Sequence, residues 1–138
     1  MKILLAVDGS KPSLDAVDCL IEHADWYREK PQVELITVHL PVPKVPGLVK
    51  AQVARYYEEE GATRLAPARK KLDAAGISYQ ARVLVGQVAE SLVKHAKDAR
   101  CDLIYAGTRG MSATANFILG STATKLLHLS SIPVLLVK

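Results

Sequence analysis

The chain has 138 residues, of which 49% are hydrophobic and 23% charged, and its net charge is +4. This length and composition predict one globular domain and exclude a disordered chain. No apolar run approaches the ~20 residues of a membrane helix and no signal-peptide pattern is present, so we expect a cytoplasmic protein. The basic residues are spread along the chain, which suits an anionic small molecule as readily as nucleic acid, but no recognition motif argues for nucleic acid.

The apolar pattern predicts five strands separated by helical segments. The first strand is continuously apolar, which is typical of a strand covered on both faces. The third strand alternates enough to favour an edge position. This order predicts an α/β fold, a single doubly wound domain whose five-stranded parallel sheet carries helices on both faces. The predicted strands span residues 2–7, 33–40, 77–85, 102–106 and 133–137.

Four helical segments connect these strands. Ser10 is placed to cap the first helix. The second segment, residues 49–75, follows a proline-rich extended linker and contains Gly61 and Pro67. We expect these two residues to bend or split it, because proline removes an intrahelical hydrogen bond. The third helix begins near residue 88, and the fourth spans residues 121–129.

A glycine-rich stretch lies between the fourth strand and the fourth helix. It reads Gly107-Thr108-Arg109-Gly110, then nine residues, then Gly120-Ser121-Thr122. Glycines allow positive φ and close approach to a ligand, and the free N–H groups at a helix start bind anions. A loop of this length is usually functional or disordered. Four apolar residues favour function over disorder: Met111, Phe117, Ile118 and Leu119.

A simpler interpretation keeps each of these residues structural. Gly107 and Gly110 would then make turns, Ser121 would cap a helix, and Asp8 would form a turn after the first strand. The combination of glycine spacing with a long loop favours a ligand site instead. Asp8 and Gly107 also follow the carboxyl ends of two strands, where parallel sheets bind their ligands.

Three segments together carry a resemblance that covers essentially the whole chain. Asp8-Gly9-Ser10, the Gly107-x-x-Gly110-x9-Gly120-Ser121 stretch and residues 132–137 resemble the universal stress protein family. The glycine spacing matches the ATP-binding branch of that family. The resemblance implies the strand order 3-2-1-4-5, a homodimer, and ATP with Mg²⁺, or a related adenine nucleotide, between the ends of strands one and four.

The resemblance also implies a role for residues at the ends of the first two strands. Ala6 and Val7 would line the adenine pocket, and Asp8 would meet the ribose hydroxyls or a metal through water. Leu40 follows His39 where the family typically has valine. Its backbone amide and carbonyl would read the adenine edge, so the changed side chain matters little.

The remaining implied ligand residues belong to the glycine-rich stretch. Its first part would wrap the ribose and α-phosphate, and its second part would hold the β- and γ-phosphates. Arg109 stands at a position where the family varies. The first part comprises Gly107, Thr108, Arg109 and Gly110, and the second Gly120, Ser121 and Thr122.

The predicted assembly follows from the implied strand order. The final strand, residues 133–137, would lie at a sheet edge with unpaired backbone groups, which favours antiparallel pairing with a second copy. A monomer whose edge is covered by the proline-rich linker is the alternative.

No catalytic motif accompanies the predicted nucleotide site. The sequence has no nucleophile elbow, P-loop or His-Glu-x-x-His pattern, and none of its histidines has metal-ligand spacing. An efficient ATPase needs a positioned base, cationic clamps and carboxylates that hold Mg²⁺. We therefore predict an ATP-binding stress or signalling module with slow or no hydrolysis and an unidentified protein partner. A weak ATP hydrolase or nucleotide transferase that uses the same cradle is the alternative, and a dimeric scaffold without a ligand is a third.

Overall fold

The structure is a computed structural model that describes residues 1–110 and 119–138. Within these residues it has five strands, four α-helices and a short 3-10 helix, Ala24–Trp26, that the sequence pattern did not predict. The strands are β1 Lys2–Ala6, β2 Gln32–His39, β3 Tyr79–Val85, β4 Leu103–Gly107 and β5 Val134–Val137. The helices are α1 Lys11–Glu22, α2 Lys50–Ala74, α3 Val88–Asp98 and α4 Ser121–Leu129.

The strands form one parallel sheet in the order β3-β2-β1-β4-β5. The doubly wound α/β fold and its strand order are thereby confirmed, and β3 is an edge strand as expected. From β1 the chain winds outward to β2 and β3, and then returns to add β4 and β5 on the other side. The winding therefore reverses between β1 and β4, which is where parallel sheets open a crevice for ligands.

Alternate residues of β1 enter two different hydrophobic cores. Ile3 and Leu5 pack on the face covered by α1 and α2, whereas Leu4 packs on the face covered by α3 and α4. This placement explains why the strand is continuously apolar. The helical residues in the first core include Val17, Leu20, Leu65 and Leu72, and those in the second include Leu92, Val93 and Leu126.

The helix α2 runs without a break for 25 residues, so the expected split at Gly61 or Pro67 is wrong. Gly61 lies against β3, and a Cβ placed on it would be 2.3 Å from Val83 Cγ2. The fully buried side chains of Leu65 and Leu72 anchor the helix on both sides of the proline. Their burial, worth about 1.5 to 3 kcal/mol each, offsets the ~3 kcal/mol that an internal proline costs.

Each strand differs from its predicted bounds by one or two residues, and the contacts of β3 and β4 explain two of these differences. The segment after α2 turns at Gly76, whose φ is +66°, and the Ile77 N–H donates to Leu72 O at 3.0 Å. Strand β3 therefore begins at Tyr79 rather than at residue 77. Strand β4 includes Gly107, which pairs with Val137, so this glycine belongs to the sheet and not to the loop.

None of the helices among the described residues is long and apolar enough to span a bilayer. Three of the four apolar residues that favoured a functional loop, Met111, Phe117 and Ile118, lie outside the described residues.

Candidate functional site

The carboxyl ends of β1, β2 and β4 meet the first turns of α1 and α4 at one end of the sheet. Asp8 follows β1 and forms a turn in which its Oδ1 accepts a hydrogen bond from the Ser10 N–H at 2.9 Å. Ser10 caps α1 as predicted, because its side chain accepts from the Ser13 N–H at 3.4 Å. One carboxylate oxygen of Asp8 therefore stabilises this turn.

The second oxygen of Asp8 faces the glycine-rich stretch. A Cβ placed on Gly110 would lie 3.1 Å from Asp8 Oδ2. The turn after β1 and the loop after β4 therefore approach each other closely at this point. A side chain at residue 110 would crowd the carboxylate and cover the space beside it.

The two halves of the glycine-rich stretch are held together by the backbone. The Gly120 N–H donates to Thr108 O at 2.6 Å, and the Thr108 N–H donates to Val137 O at 3.0 Å. A Cβ placed on Gly120 would be 3.2 Å from Thr108 O and 3.4 Å from Arg109 Cα. The structure therefore brings Gly120 against residues 108 and 109, as the predicted cradle requires.

Helix α4 begins beside this contact. Gly120 is its N-cap, so the interpretation in which Ser121 caps the helix is wrong. Gly120 O accepts from the Thr124 N–H at 3.0 Å and from Thr124 Oγ1 at 2.9 Å. The N–H groups of the first turn have no partner within an α-helix, and the helix dipole places partial positive charge there. Ser121 and Thr122 thus lie at an end suited to an anion.

The expected backbone role of the glycines needs correction. Gly107, Gly110 and Gly120 do not take a φ in the left-handed region. A Cβ on Gly107 would be 2.6 Å from Pro12 O, so this glycine permits close contact between β4 and α1. Gly9, in the turn that follows β1, does have a positive φ, at +84°.

The end of β2 supplies backbone groups to the same region. The His39 O accepts from the Gly86 N–H at 2.8 Å and therefore faces β3. Because the C=O and N–H of one trans peptide point in opposite directions, the Leu40 N–H faces the other side, beyond the end of β1. The Leu40 side chain is 60% exposed, whereas Val7 is buried and Ala6 half-buried.

The sequence analysis missed Arg64 as a neighbour of this region. Arg64 lies on α2, and a Cβ placed on Gly9 would be 3.5 Å from its Cα and 3.6 Å from its Cγ. Its Nη1 donates to Val38 O at 3.4 Å, a contact between residues 26 positions apart. Charged residues are frequent along α2, so no local pattern distinguished this one.

The sequence analysis named His39 only as the residue before Leu40. In the structure, His39 is a buried polar residue beside the site. Its Nε2 has no hydrogen-bond partner among the described residues. Burial, and then the nearby Arg64 cation, lower the pKa of His39, while the Glu60 carboxylate opposes them. The imidazole ring centroid is 5.8 Å from that of Tyr57. These surroundings therefore favour the neutral form of the His39 imidazole.

Residues 1–110 and 119–138 contain no group of three or more His, Cys, Asp or Glu side chains that could hold a metal ion. A surface depression of about 340 Å³ is lined by Met1, Trp26 and Tyr27, among other residues, at the amino end of β1. It lies at the opposite end of the sheet from Asp8. The convergence of strand ends and helix starts, rather than the size of a depression, identifies the candidate site.

Comparison with known proteins gives one consistent family. The universal stress protein family model matches residues 1–138. The universal stress protein YxiE of Bacillus subtilis is 29% identical, and the alignment covers 99% of this chain and 98% of that protein.

Two solved structures share the fold. Universal stress protein UspA from Lactobacillus plantarum has a TM-score of 0.84 at 17% identity, with 100% of this chain and 97% of that chain covered. A universal stress protein in complex with cAMP has a TM-score of 0.72 at 27% identity, with 100% and 97% covered. With the family model matching from end to end, this chain belongs to the universal stress protein family.

Proposed function

We propose that this protein binds an adenine nucleotide, ATP with Mg²⁺, at the carboxyl ends of β1, β2 and β4. The observation that carries the proposal is that the turn after β1, the loop after β4 and the start of α4 converge where the winding of the sheet reverses. Gly110 lies against the Asp8 carboxylate, and the Gly120 N–H bonds to Thr108 O at 2.6 Å. The relative of 27% identity that was solved with cAMP supports an adenine nucleotide as the ligand class.

Each part of the nucleotide has a chemically suitable partner. An ionised Asp8 is an acceptor-only group, which suits the two hydroxyl donors of a ribose. The first turn of α4, at Ser121 and Thr122, suits the phosphates because its N–H groups and dipole attract anions. The backbone of Leu40 offers a donor and an acceptor to the base edge. Arg109 is exposed next to Gly120, where it can approach a phosphate from solvent.

The proposed Mg²⁺ would be held mainly by phosphate oxygens and water, as is common for this ion. Among the described residues of the site, Asp8 provides the carboxylate that could bind it through water. A site whose described residues offer one carboxylate and no positioned base is a poor hydrolase. We therefore propose a nucleotide-dependent stress or signalling module whose hydrolysis is slow or absent.

The edge strand supports a homodimer as the acting form. The Ile104 N–H donates to Pro133 O, and the Thr108 N–H donates to Val137 O. Residues 133, 135 and 137 therefore face β4, and the peptide groups of Val134 and Leu136 face away from the sheet. A second copy could satisfy these outward groups across a two-fold axis.

Two measurements on the purified protein test the proposed nucleotide binding, and a third tests the slow hydrolysis. Mass spectrometry of ligand released by denaturation should detect an adenine nucleotide, or calorimetric titration should show ATP binding with Mg²⁺ present. Absence of both would contradict the proposal. Phosphate release should be far slower than the about 1 to 100 per second of kinases. Sustained release at such rates, lost in a Gly120→Val variant, would establish the hydrolase alternative.

A further inference from the structure

Arg64 reaches from α2 across the turn that presents Asp8. Gly9 has no side chain, and the Cα and Cγ of Arg64 lie 3.5 and 3.6 Å from the position of a Gly9 Cβ. The arginine stem thereby covers the turn, and the guanidinium continues to the end of β2, where Nη1 donates to Val38 O at 3.4 Å.

Because the guanidinium of Arg64 donates to Val38 O, the direction of this carbonyl shows where the guanidinium lies. The Val7 N–H donates to Ile36 O at 2.9 Å, so the peptide groups of even-numbered residues in β2 face β1. Strand β1 ends at Ala6, and the Val38 carbonyl therefore lies at the edge of the gap beyond it. The Leu40 N–H faces the same gap, because it belongs to the trans peptide whose His39 O faces β3. Arg64 and the backbone groups proposed to read the base thus share one opening.

Arg64 has hydrogen-bonding capacity beyond its contact with Val38. A guanidinium carries five N–H donors, and the contact to Val38 O is the one side-chain hydrogen bond that Arg64 makes among the described residues. No ion pair formed by the described residues includes Arg64. Arg64 is half-buried, and the Nε2 of the nearby His39 has no hydrogen-bond partner in the part of the chain that the structure describes. The Arg64 guanidinium is planar and weakly hydrated, so in this position it can bind a hydrogen-bond acceptor or stack on an aromatic face.

We propose that Arg64 is a further ligand-contacting residue of this site and that its guanidinium binds the purine base. The inference rests on the proposed nucleotide function and adds a specificity determinant to it. The base is the favoured partner because Arg64 lies on the β2 side of Asp8, whereas the first turn of α4 lies on the β4 side. The donors can meet ring nitrogens of the base, or the plane can stack on its face.

Four proteins test this assignment by titration: the parent, Arg64→Met, Arg64→Lys and the control Arg55→Met. Methionine keeps an apolar stem over Gly9 but removes the donors, and lysine keeps the charge but loses the planar fork. Arg55 is an exposed arginine on the same helix. ATP binding is measured by calorimetry, adenosine binding by ligand-observed NMR, and folding by thermal melting.

Arg64→Met and Arg64→Lys are expected to lose about tenfold in affinity for ATP and for adenosine alike, because both ligands carry the base. Arg55→Met should match the parent. The assignment is overturned if folded Arg64→Met binds ATP as the parent does, or if ATP weakens and adenosine does not. It is also overturned if adenosine fails to bind a parent that binds ATP. A parent without affinity for ATP would instead remove the proposed function and this inference together.

Discussion

The carboxylate of Asp8 lies against Gly110, with Oδ2 3.1 Å from the position that a Cβ at residue 110 would occupy. The other oxygen, Oδ1, is engaged by the Ser10 N–H at 2.9 Å. One side chain thus shapes the turn after β1 and also faces the loop after β4. These two roles can be separated by mutation.

Asp8→Asn keeps an oxygen that can accept from the Ser10 N–H but removes the negative charge. We expect its affinity for ATP to fall by about 1.5 to 3 kcal/mol, because a charge-assisted bond to the ribose is lost. Asp8→Ala should lose the turn as well, at a further cost of about 1 kcal/mol in the free energy of unfolding. Calorimetric titration and urea unfolding measure the two effects. Parental ATP affinity in Asp8→Asn would leave Asp8 with the turn role alone.

Gly120→Val should weaken ATP binding by ~2 kcal/mol or more, about thirtyfold. The added Cβ would meet Thr108 O at 3.2 Å and Arg109 Cα at 3.4 Å, and these backbone atoms cannot move independently. The substitution therefore separates the loop after β4 from the start of α4. Gly120→Ala, which adds only the Cβ, should show a smaller loss in the same titration. Unchanged affinity in a folded Gly120→Val protein would exclude this contact from the binding site.

A proline at position 136 should convert the proposed dimer into a monomer. The Leu136 N–H faces away from β4, so Leu136→Pro removes a donor from the outer edge but none from the protomer's own ladder. Leu136→Ala is the matched control, because it shortens the side chain and keeps the N–H. Light scattering should give near twice the chain mass of 15.0 kDa for the parent and the control, and the single mass for Leu136→Pro. A monomeric parent, or a dimeric Leu136→Pro, would rule out this strand as the interface.

His39 should make the stability of the protein depend on pH. Burial and the Arg64 cation lower the pKa of His39 in the folded state, although Glu60 opposes them. The unfolded chain, with a histidine pKa of about 6.5, binds the proton more readily. The free energy of unfolding should therefore fall as the pH drops through about 6.5 and should level off below the folded pKa.

Urea unfolding of the parent and of His39→Gln at about pH 7.5 and about pH 5.5 measures this contribution. The parent should lose more stability on acidification than the variant, and the difference isolates His39 from the other histidines. Equal losses in the two proteins would show that the folded state accepts the proton at His39 without cost.

Local patterns in the sequence predicted much of the fold. The continuous apolarity of β1 indicated burial on both faces, and Ile3 and Leu4 enter opposite cores. The Ser10 cap and the bounds of α4 followed from residues next to each other in the chain, and both are confirmed. The glycine spacing led to the family, and through it to the strand order. Roles of single residues as nucleotide ligands stay predictions.

The tertiary structure decided whatever depends on contacts between distant residues. Helix α2 stays whole across Pro67 because Leu65 and Leu72 are buried against the sheet, and a propensity rule does not include that burial. A side chain at Gly107 is excluded by Pro12 O, which would lie 2.6 Å from its Cβ, and the local sequence does not show that contact.

The position of Arg64 at the candidate site likewise could not be predicted from local sequence patterns. Only the packing of α2 against β2, β3 and α1 brings its side chain onto Gly9 and Val38. Sequence periodicity determines which face of an element is buried, because it records the spacing of side chains along one helix or strand. Which residues meet across two elements depends on how those elements pack, and that is a property of the whole fold.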